Sequence, residues 1–245
     1  MSDPVLILVH GATLNGASWN PVRRYLDPRY RVVAVDLPGH GARRSEPYTV
    51  EGAVRVVAQA AKEVAPAKVV LIGDSLGGYT SMAAASSIAA QQLAALIVGG
   101  CSQNFFGAPL RALRSRWFLF GKILIPVFGE ERLVKRLMPK AMRKMGHDEA
   151  DTNAIINAHV RMRAFGEAVA ALAHKDFLPT VAAIDVPIVF FNGTKDKSPM
   201  GSEALFAKTA KHGEVKHFEC EHGVTLWKSR EFAQFVNGYL GRLNA

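Results

Sequence analysis

Cysteine is scarce in this chain: of 245 residues, only Cys101 and Cys220 carry a thiol. That excludes a small domain stapled by several disulfides. Each cysteine closes an apolar run, and a third run is expected between them in a sheet, so strand spacing sets them roughly 10 Å apart. A disulfide tolerates about 7 Å between Cα atoms at most. Two free thiols and a reducing, cytoplasmic compartment are therefore expected. Long hydrophobic runs are missing too. "WFLFGKILIPVFG" (117–129) is interrupted by Lys122 and Pro126 and is too short to span a bilayer. The opening "MSDPVLILVHGA" has no basic stretch ahead of its apolar residues, so no signal peptide is expected. Internal repeats, low-complexity tracts and Gly/Ser linkers are absent.

Acidic residues are in the minority, 21 against 30 Lys and Arg, for a net charge of +9. A uniformly basic surface would point to nucleic acid, but this charge is local. Between Arg111 and Lys144 ten cations face only Glu130 and Glu131. No nucleic-acid motif accompanies them, so no nucleic-acid partner is expected. Cations interleaved with the apolar run could let this segment rest on an anionic membrane surface. A solvated face whose apolar side meets a pocket is the favoured reading.

What the chain has is an ordinary globular composition, 49% hydrophobic and 21% charged, with ample material for a core. Continuous Val- and Ile-rich runs recur: "VLILVH" (5–10), "RVVAVDL" (31–37), "KVVLIGD" (68–74), "ALIVGG" (95–100) and "VPIVFFNG" (186–193). Strands buried on both faces of a parallel sheet have this pattern. "EVKHFECE" (214–221) alternates and reads as a sixth strand. Between the runs the apolar spacing is helical, as in Val50, Val54, Val57, Ala61 and Val64, and in the stripe of Phe232, Phe235, Val236, Tyr239, Leu240 and Leu243. Strand–helix alternation predicts a doubly wound α/β sheet. From 103 to 182 no strand is expected. The helical segments there are "EERLVKRLMPKAMRKM", cut by Pro139, and "DTNAIINAHVRMRAF", with Asp151 as N-cap. A stretch of that length reads as an inserted helical subdomain on a core of 1–102 and 183–245.

Ligands of open α/β sheets bind at the carboxyl ends of the strands. There the sequence offers His10, Gly11 and Ala12, then Asp36 with "PGHG", then Asp74 and Ser75, then Asp196 closing "NGTKD", and His222 in "EHG". "GDSLG" fits G-x-S-x-G, in which small neighbours let a serine adopt strained backbone angles at a strand-to-helix turn. Asp74 and Asp176 compete with Asp196 for the acid's role, but only Asp196 follows a strand between serine and histidine. His10 and His40 read as loop hydrogen-bonders, and His212 and His217 as surface residues. "GHDEAD" (146–151) mixes histidine and acids but lacks spaced partners, so it reads as a solvated helix start and not as a metal site.

Along essentially its whole length the chain resembles the α/β-hydrolase superfamily, through "HGA" (10–12), "DLPGHG" (36–41), "GDSLGG" (73–78), "GTKD" (193–196) and "EHG" (221–223). The resemblance implies a mostly parallel six-stranded sheet flanked by helices, with 103–182 as a helical cap over the pocket. It implies Ser75 as nucleophile, Asp196 as acid, His222 as base, and the backbone amides of Ala12 and Leu76 as the oxyanion hole. Gly11, Thr13, Trp117 and Phe118 are the expected substrate contacts. Among Phe105, Phe106, Phe120, Met138 and Met142, most are expected in the core of the cap. No cofactor or metal is implied.

With four residues ahead of Val5, a compact form is expected, one that resembles methylesterases, hydroxynitrile lyases and small bacterial esterases. Hydrolysis of a small ester, thioester or lactone through an acyl-serine is the expected activity. A non-catalytic receptor on the same fold is the first alternative, and a lyase of the hydroxynitrile type the second. Lyases of that branch carry a threonine after the first-strand histidine and a lysine after the catalytic histidine. Here those positions are Gly11 and Gly223, which favours ester cleavage. An aspartate nucleophile, as in dehalogenases and epoxide hydrolases, is excluded by Ser75.

Overall fold

The computed structural model describes residues 3–104, 125–173, 175–197 and 202–243. Six strands form one sheet: β1 (Val5–Val9), β2 (Val32–Val35), β3 (Val69–Asp74), β4 (Leu93–Gly99), β5 (Ile188–Gly193) and β6 (Gly213–Phe218). They lie in the order β2-β1-β3-β4-β5-β6, and every pairing is parallel. All six sequence-predicted strands are present, with ends shifted by up to three residues: β4 and β6 begin earlier than their runs, at Leu93 and Gly213, and the others are trimmed.

The helices are α1 (Asn20–Arg23), α2 (Val50–Glu63), α3 (Leu76–Ala84), α4 (Ile125–Phe128), α5 (Glu130–Lys144), α6 (Glu149–Asn157), α7 (Ala164–Leu172), α8 (Leu178–Ala182), α9 (Glu203–Thr209), α10 (Val224–Trp227) and α11 (Ser229–Leu243). None among the described residues is long and apolar enough to cross a membrane.

Strand residues alternate between two cores because successive side chains point to opposite faces. Ile7, Val9, Leu71, Leu96, Val98 and Phe190 pack with Ala53 and Val57 of α2 and Phe206 of α9. Leu8, Ile72, Ile97 and Phe191 pack on the other face with Trp19, Val22 of α1, and Phe232, Val236 and Leu240 of α11. Burial on both faces explains why these strands read as unbroken apolar runs.

The chain runs from β1 outward to β2, then returns to place β3 on the opposite side of β1. That reversal opens a crevice beyond the carboxyl ends of β1 and β3, the expected ligand position of such sheets. The loops that border it are tied down. Asp36, just past β2, accepts hydrogen bonds from the amides of Gly16 at 2.7 Å and Ala42 at 2.8 Å. His10 is buried and bridges the β1 exit, with Nε2 accepting from the Leu37 amide at 3.1 Å and Nδ1 bonded to the Gly11 carbonyl at 2.8 Å. Burial beside His40 lowers its pKa to about 3, so it is a neutral structural histidine. His40 bonds the Pro38 carbonyl, which makes both histidines loop hydrogen-bonders as the sequence suggests.

Between β4 and β5 the described residues 125–182 contain helices and no strand. Three expectations fail in this stretch. Helix α5 is not cut at Pro139 but runs through it. Val134 and Met142 are buried on one face of α5, and Met142 joins a small cluster with Ile155 of α6 and Leu226 of α10. That packing holds the helix together although the proline lacks its amide hydrogen. The N-cap of α6 is Asp148 and not Asp151: the Asp148 side chain accepts from the Asp151 amide at 2.8 Å. Nor is "GHDEAD" solvated throughout. Asp151 is buried and pairs with Arg24 of the α1 region at 2.5 Å, while His147 reaches the Leu226 carbonyl at 2.7 Å.

Cys101 and Cys220 are both buried and free, at the exits of β4 and β6 with β5 between, as their placement in the sequence predicts.

Candidate functional site

Ser75 stands between β3 and α3 with φ 54° and ψ −115°, a backbone conformation that costs a non-glycine residue roughly 1–3 kcal/mol. Its surroundings impose it. The Ser75 amide is held by the Gly99 carbonyl at 2.6 Å, and its own carbonyl receives the Gly78 amide at 2.9 Å. The turn is tight because α3 lies directly on β1. A Cβ placed on Gly77 would collide with the Val9 carbonyl oxygen. The serine is thereby lifted out of the sheet at the mouth of the crevice.

The loop after β5 is zipped to the exit of β6. The amide of Thr194 donates to the Phe218 carbonyl at 2.8 Å, and that of Lys195 to the Cys220 carbonyl at 2.9 Å. This brings Asp196, buried at 4% exposure, against His222. Asp196 Oδ2 lies 2.6 Å from His222 Nδ1, and His222 Nε2 lies 3.1 Å from Ser75 Oγ. The three residues that the resemblance singles out, distant in sequence, form one hydrogen-bonded chain. Burial works against a charged His222, but the hydrogen bond that its Nδ1–H donates to Asp196, with the charges of Asp74 and Asp196, outweighs it and raises the pKa of the imidazole above its ordinary value.

Leu76 opens α3, so its amide has no carbonyl one turn back to donate to. Ala12 follows β1 across the crevice. Among the described residues neither amide donates to a protein acceptor. Gly11 sits beside the serine: a Cβ there would lie 3.5 Å from Ser75 Cβ. Thr13 adopts φ 71°, and its carbonyl receives the Arg161 amide at 2.9 Å. The Arg161 guanidinium bonds the carbonyls of Gly39 at 3.2 Å and Arg44 at 2.8 Å. Asn15 reaches the Ile155 carbonyl at 2.9 Å. These contacts stitch the helical stretch onto the loops after β1 and β2. Trp117, Phe118, Phe105, Phe106 and Phe120 lie outside the described residues. Met138 and Met142 belong to the apolar cluster beside α10.

Sequence reasoning passes over Gly100. Its φ is +60°, and a Cβ on it would approach His222 Cε1 to 2.8 Å. The only signal is the "GG" that ends the fourth strand run. Gly100→Ala would pay for a left-handed backbone and push the imidazole off its line to Ser75. Because a displacement near 1 Å can cost about 100-fold, we expect kcat to fall by about 10- to 100-fold with KM little changed. Steady-state kinetics would check this; an unchanged kcat would show that His222 has room to move.

With the geometry in place, comparison with known proteins identifies the chain. The sequence profile of the alpha/beta hydrolase family matches residues 6–236. The chain belongs to that family, and its esterase relatives make it a carboxylesterase-like hydrolase. The pimeloyl-[acyl-carrier protein] methyl ester esterase of Pseudoalteromonas atlantica is 28% identical over 254 residues, spanning 96% of this chain and 90% of its own. Among solved structures, an E-2-(acetamidomethylene)succinate hydrolase superposes with a TM-score of 0.77 at 17% identity, covering 97% of this chain and 91% of its own. The enol-lactonase of Burkholderia xenovorans LB400 superposes with a TM-score of 0.74 at 19% identity, covering 98% and 92%. These two likenesses speak for the fold.

Proposed function

We propose that the protein cleaves a carboxylic ester through an acyl intermediate on Ser75. The observation that carries this reading is the hydrogen-bonded chain from Asp196 through His222 to Ser75 at the crevice between β1 and β3. A serine hydroxyl is a weak nucleophile until a neighbouring base takes its proton. In the first half-reaction Ser75 Oγ attacks the ester carbonyl carbon while His222 Nε2 accepts the hydroxyl proton. The carbonyl oxygen becomes an oxyanion facing the amides of Ala12 and Leu76, each worth about 3 kcal/mol of barrier. The intermediate collapses with cleavage of the carbonyl–alkoxy bond, and His222 returns the proton to the leaving alcohol. A water molecule repeats the sequence on the acyl-serine and releases the acid. Asp196 holds the Nδ1 proton, fixes the tautomer and stabilises the transient imidazolium.

The helices between β4 and β5, anchored over the crevice by Arg161 and Asn15, serve as the cap that shapes the acyl site. A methyl ester on a carrier-borne acyl chain, the substrate named for the Pseudoalteromonas relative, is the ester class we assign first. Arg132, Arg136, Lys140 and Arg143 are exposed on α5 and offer an anionic carrier a complementary face.

A panel of p-nitrophenyl esters of increasing acyl length, run beside methyl esters of free and carrier-borne acids, tests this. Short to medium acyl chains should be preferred, and carrier-borne methyl esters should be cleaved faster than free ones. An equal response at every length, or cyanohydrin cleavage without esterase activity, would overturn the reading. The same assay gives a pH test. The base must be neutral to accept the serine proton, and the pKa of His222 in the folded enzyme is raised. The acid limb of kcat/KM should therefore turn above 6.5, the ordinary histidine value. An inflection at or below it would contradict the assigned base.

A further inference from the structure

The carboxylate directly before the nucleophile has no part in the reaction just described. Asp74 is 6% exposed at the end of β3. Its Oδ2 accepts the hydroxyl of Thr225 at 2.6 Å. Its Oδ1 is buried, and among the described residues no hydrogen-bond partner reaches it. An unpaired buried carboxylate oxygen is costly, and it is retained here beside the site. Thr225 lies in α10, three positions after His222 in the same turn. A Cβ on Gly100 would lie 2.8 Å from His222 Cε1 and 3.5 Å from Asp74 Oδ1. The imidazole and the free oxygen thus converge on one point of the β4 exit.

We infer that Asp74 is a positioning residue for His222, acting in two ways that rest on the reaction proposed above: its bond to Thr225 clamps the turn that carries the histidine, and its charge stabilises the imidazolium. Asp196 holds the ring at Nδ1 and Ser75 meets it at Nε2. Asp74 supplies a second negative charge without touching either nitrogen. The other titratable groups near the ring do not replace it. Cys101 and Cys220 are buried thiols held in their neutral form, their pKa values pushed up by burial. Glu221 is exposed and paired with Lys144 at 3.5 Å. Burial raises the pKa of Asp74 itself, while His222 and the Thr225 hydroxyl oppose that shift.

Two variants separate the clamp from the charge. Thr225→Val removes the hydroxyl at nearly constant volume. It should lower kcat by about 10-fold or more with KM within about twofold, because misplacement of a catalytic group acts on the chemical step. Thr225→Ser should restore most of the loss. Asp74→Asn keeps an oxygen that accepts the Thr225 hydroxyl but removes the charge, so the acid limb of kcat/KM should move down by about one pH unit. The inference is overturned if Thr225→Val lowers only Tm and leaves kcat unchanged, or if Asp74→Asn leaves the acid limb in place. Fluorophosphonate labelling of the unaltered protein keeps the two levels apart. A label on Ser75 together with either null result sinks the inference alone, and a label elsewhere sinks the reaction on which it rests.

Discussion

Ser75→Ala should reduce kcat for ester hydrolysis by about ten-thousandfold or more, since loss of the nucleophile leaves only the oxyanion donors and substrate binding. Binding should survive, because the amides of Ala12 and Leu76 are backbone groups that the substitution does not remove. Tm should barely change. The side chain contributes one contact, to His222 Nε2, and the strained φ of 54° is imposed by the backbone on either residue. Ser75→Gly gives a sharper comparison. Glycine tolerates that conformation, so this variant should be equally inactive yet gain about 1 kcal/mol of stability as strain is released. Kinetics and thermal melts on both variants check the pair. Residual activity above a few per cent in Ser75→Ala would place the nucleophile elsewhere.

Gly77→Ala should damage fold and activity together. The new methyl would run into the Val9 carbonyl oxygen and come within 2.8 Å of the His10 carbonyl oxygen. Both are backbone atoms of a central strand and its exit, and neither can swing aside as a flexible side chain would. Helix α3 would have to lift from β1, at a cost of about 3 kcal/mol by comparison with overpacked cores. For a chain of this length that corresponds to a Tm lower by roughly 10 °C. The lift also carries Ser75 and the Leu76 amide away from Ala12, so kcat should drop by about 100-fold even in the folded fraction. A variant with unaltered Tm and kcat would contradict the close seating of α3.

The elements legible in the sequence are those whose cause is local. A parallel strand buried on both faces is apolar at nearly every position, and five of the six strands stood out for that reason; the edge strand β6, largely exposed, was legible from its alternation instead. The elbow was legible because its backbone geometry needs Gly73, Gly77 and a serine at fixed offsets along a few residues. Asp196 and His222 could be placed from their positions just past strands. Contacts made across the fold were not legible. Nothing near Thr225 in the chain announces a partner in Asp74, and nothing near Arg161 announces the carbonyls of Thr13, Gly39 and Arg44. The helical stretch misled for a related reason. Pro139 breaks a helix judged alone, but in α5 the burial of Val134 and Met142 against neighbouring elements overrides it. Likewise Asp148 and Asp151 both suit an N-cap; Arg24 lies against both, at 3.8 and 2.5 Å, but Asp151 is the buried one, and the Asp148 side chain accepts the Asp151 amide.

The central claim is that Ser75 carries the acyl group. A fluorophosphonate added to the unaltered protein, followed by intact mass and peptide mapping, tests it most directly. The expected result is one adduct per chain, on Ser75, with esterase activity lost in proportion to labelling. Labelling should be absent in Ser75→Ala and much slower in His222→Ala, which lacks the base that activates the hydroxyl. A label on any other residue, or ester hydrolysis that continues with Ser75 fully labelled, would contradict the account.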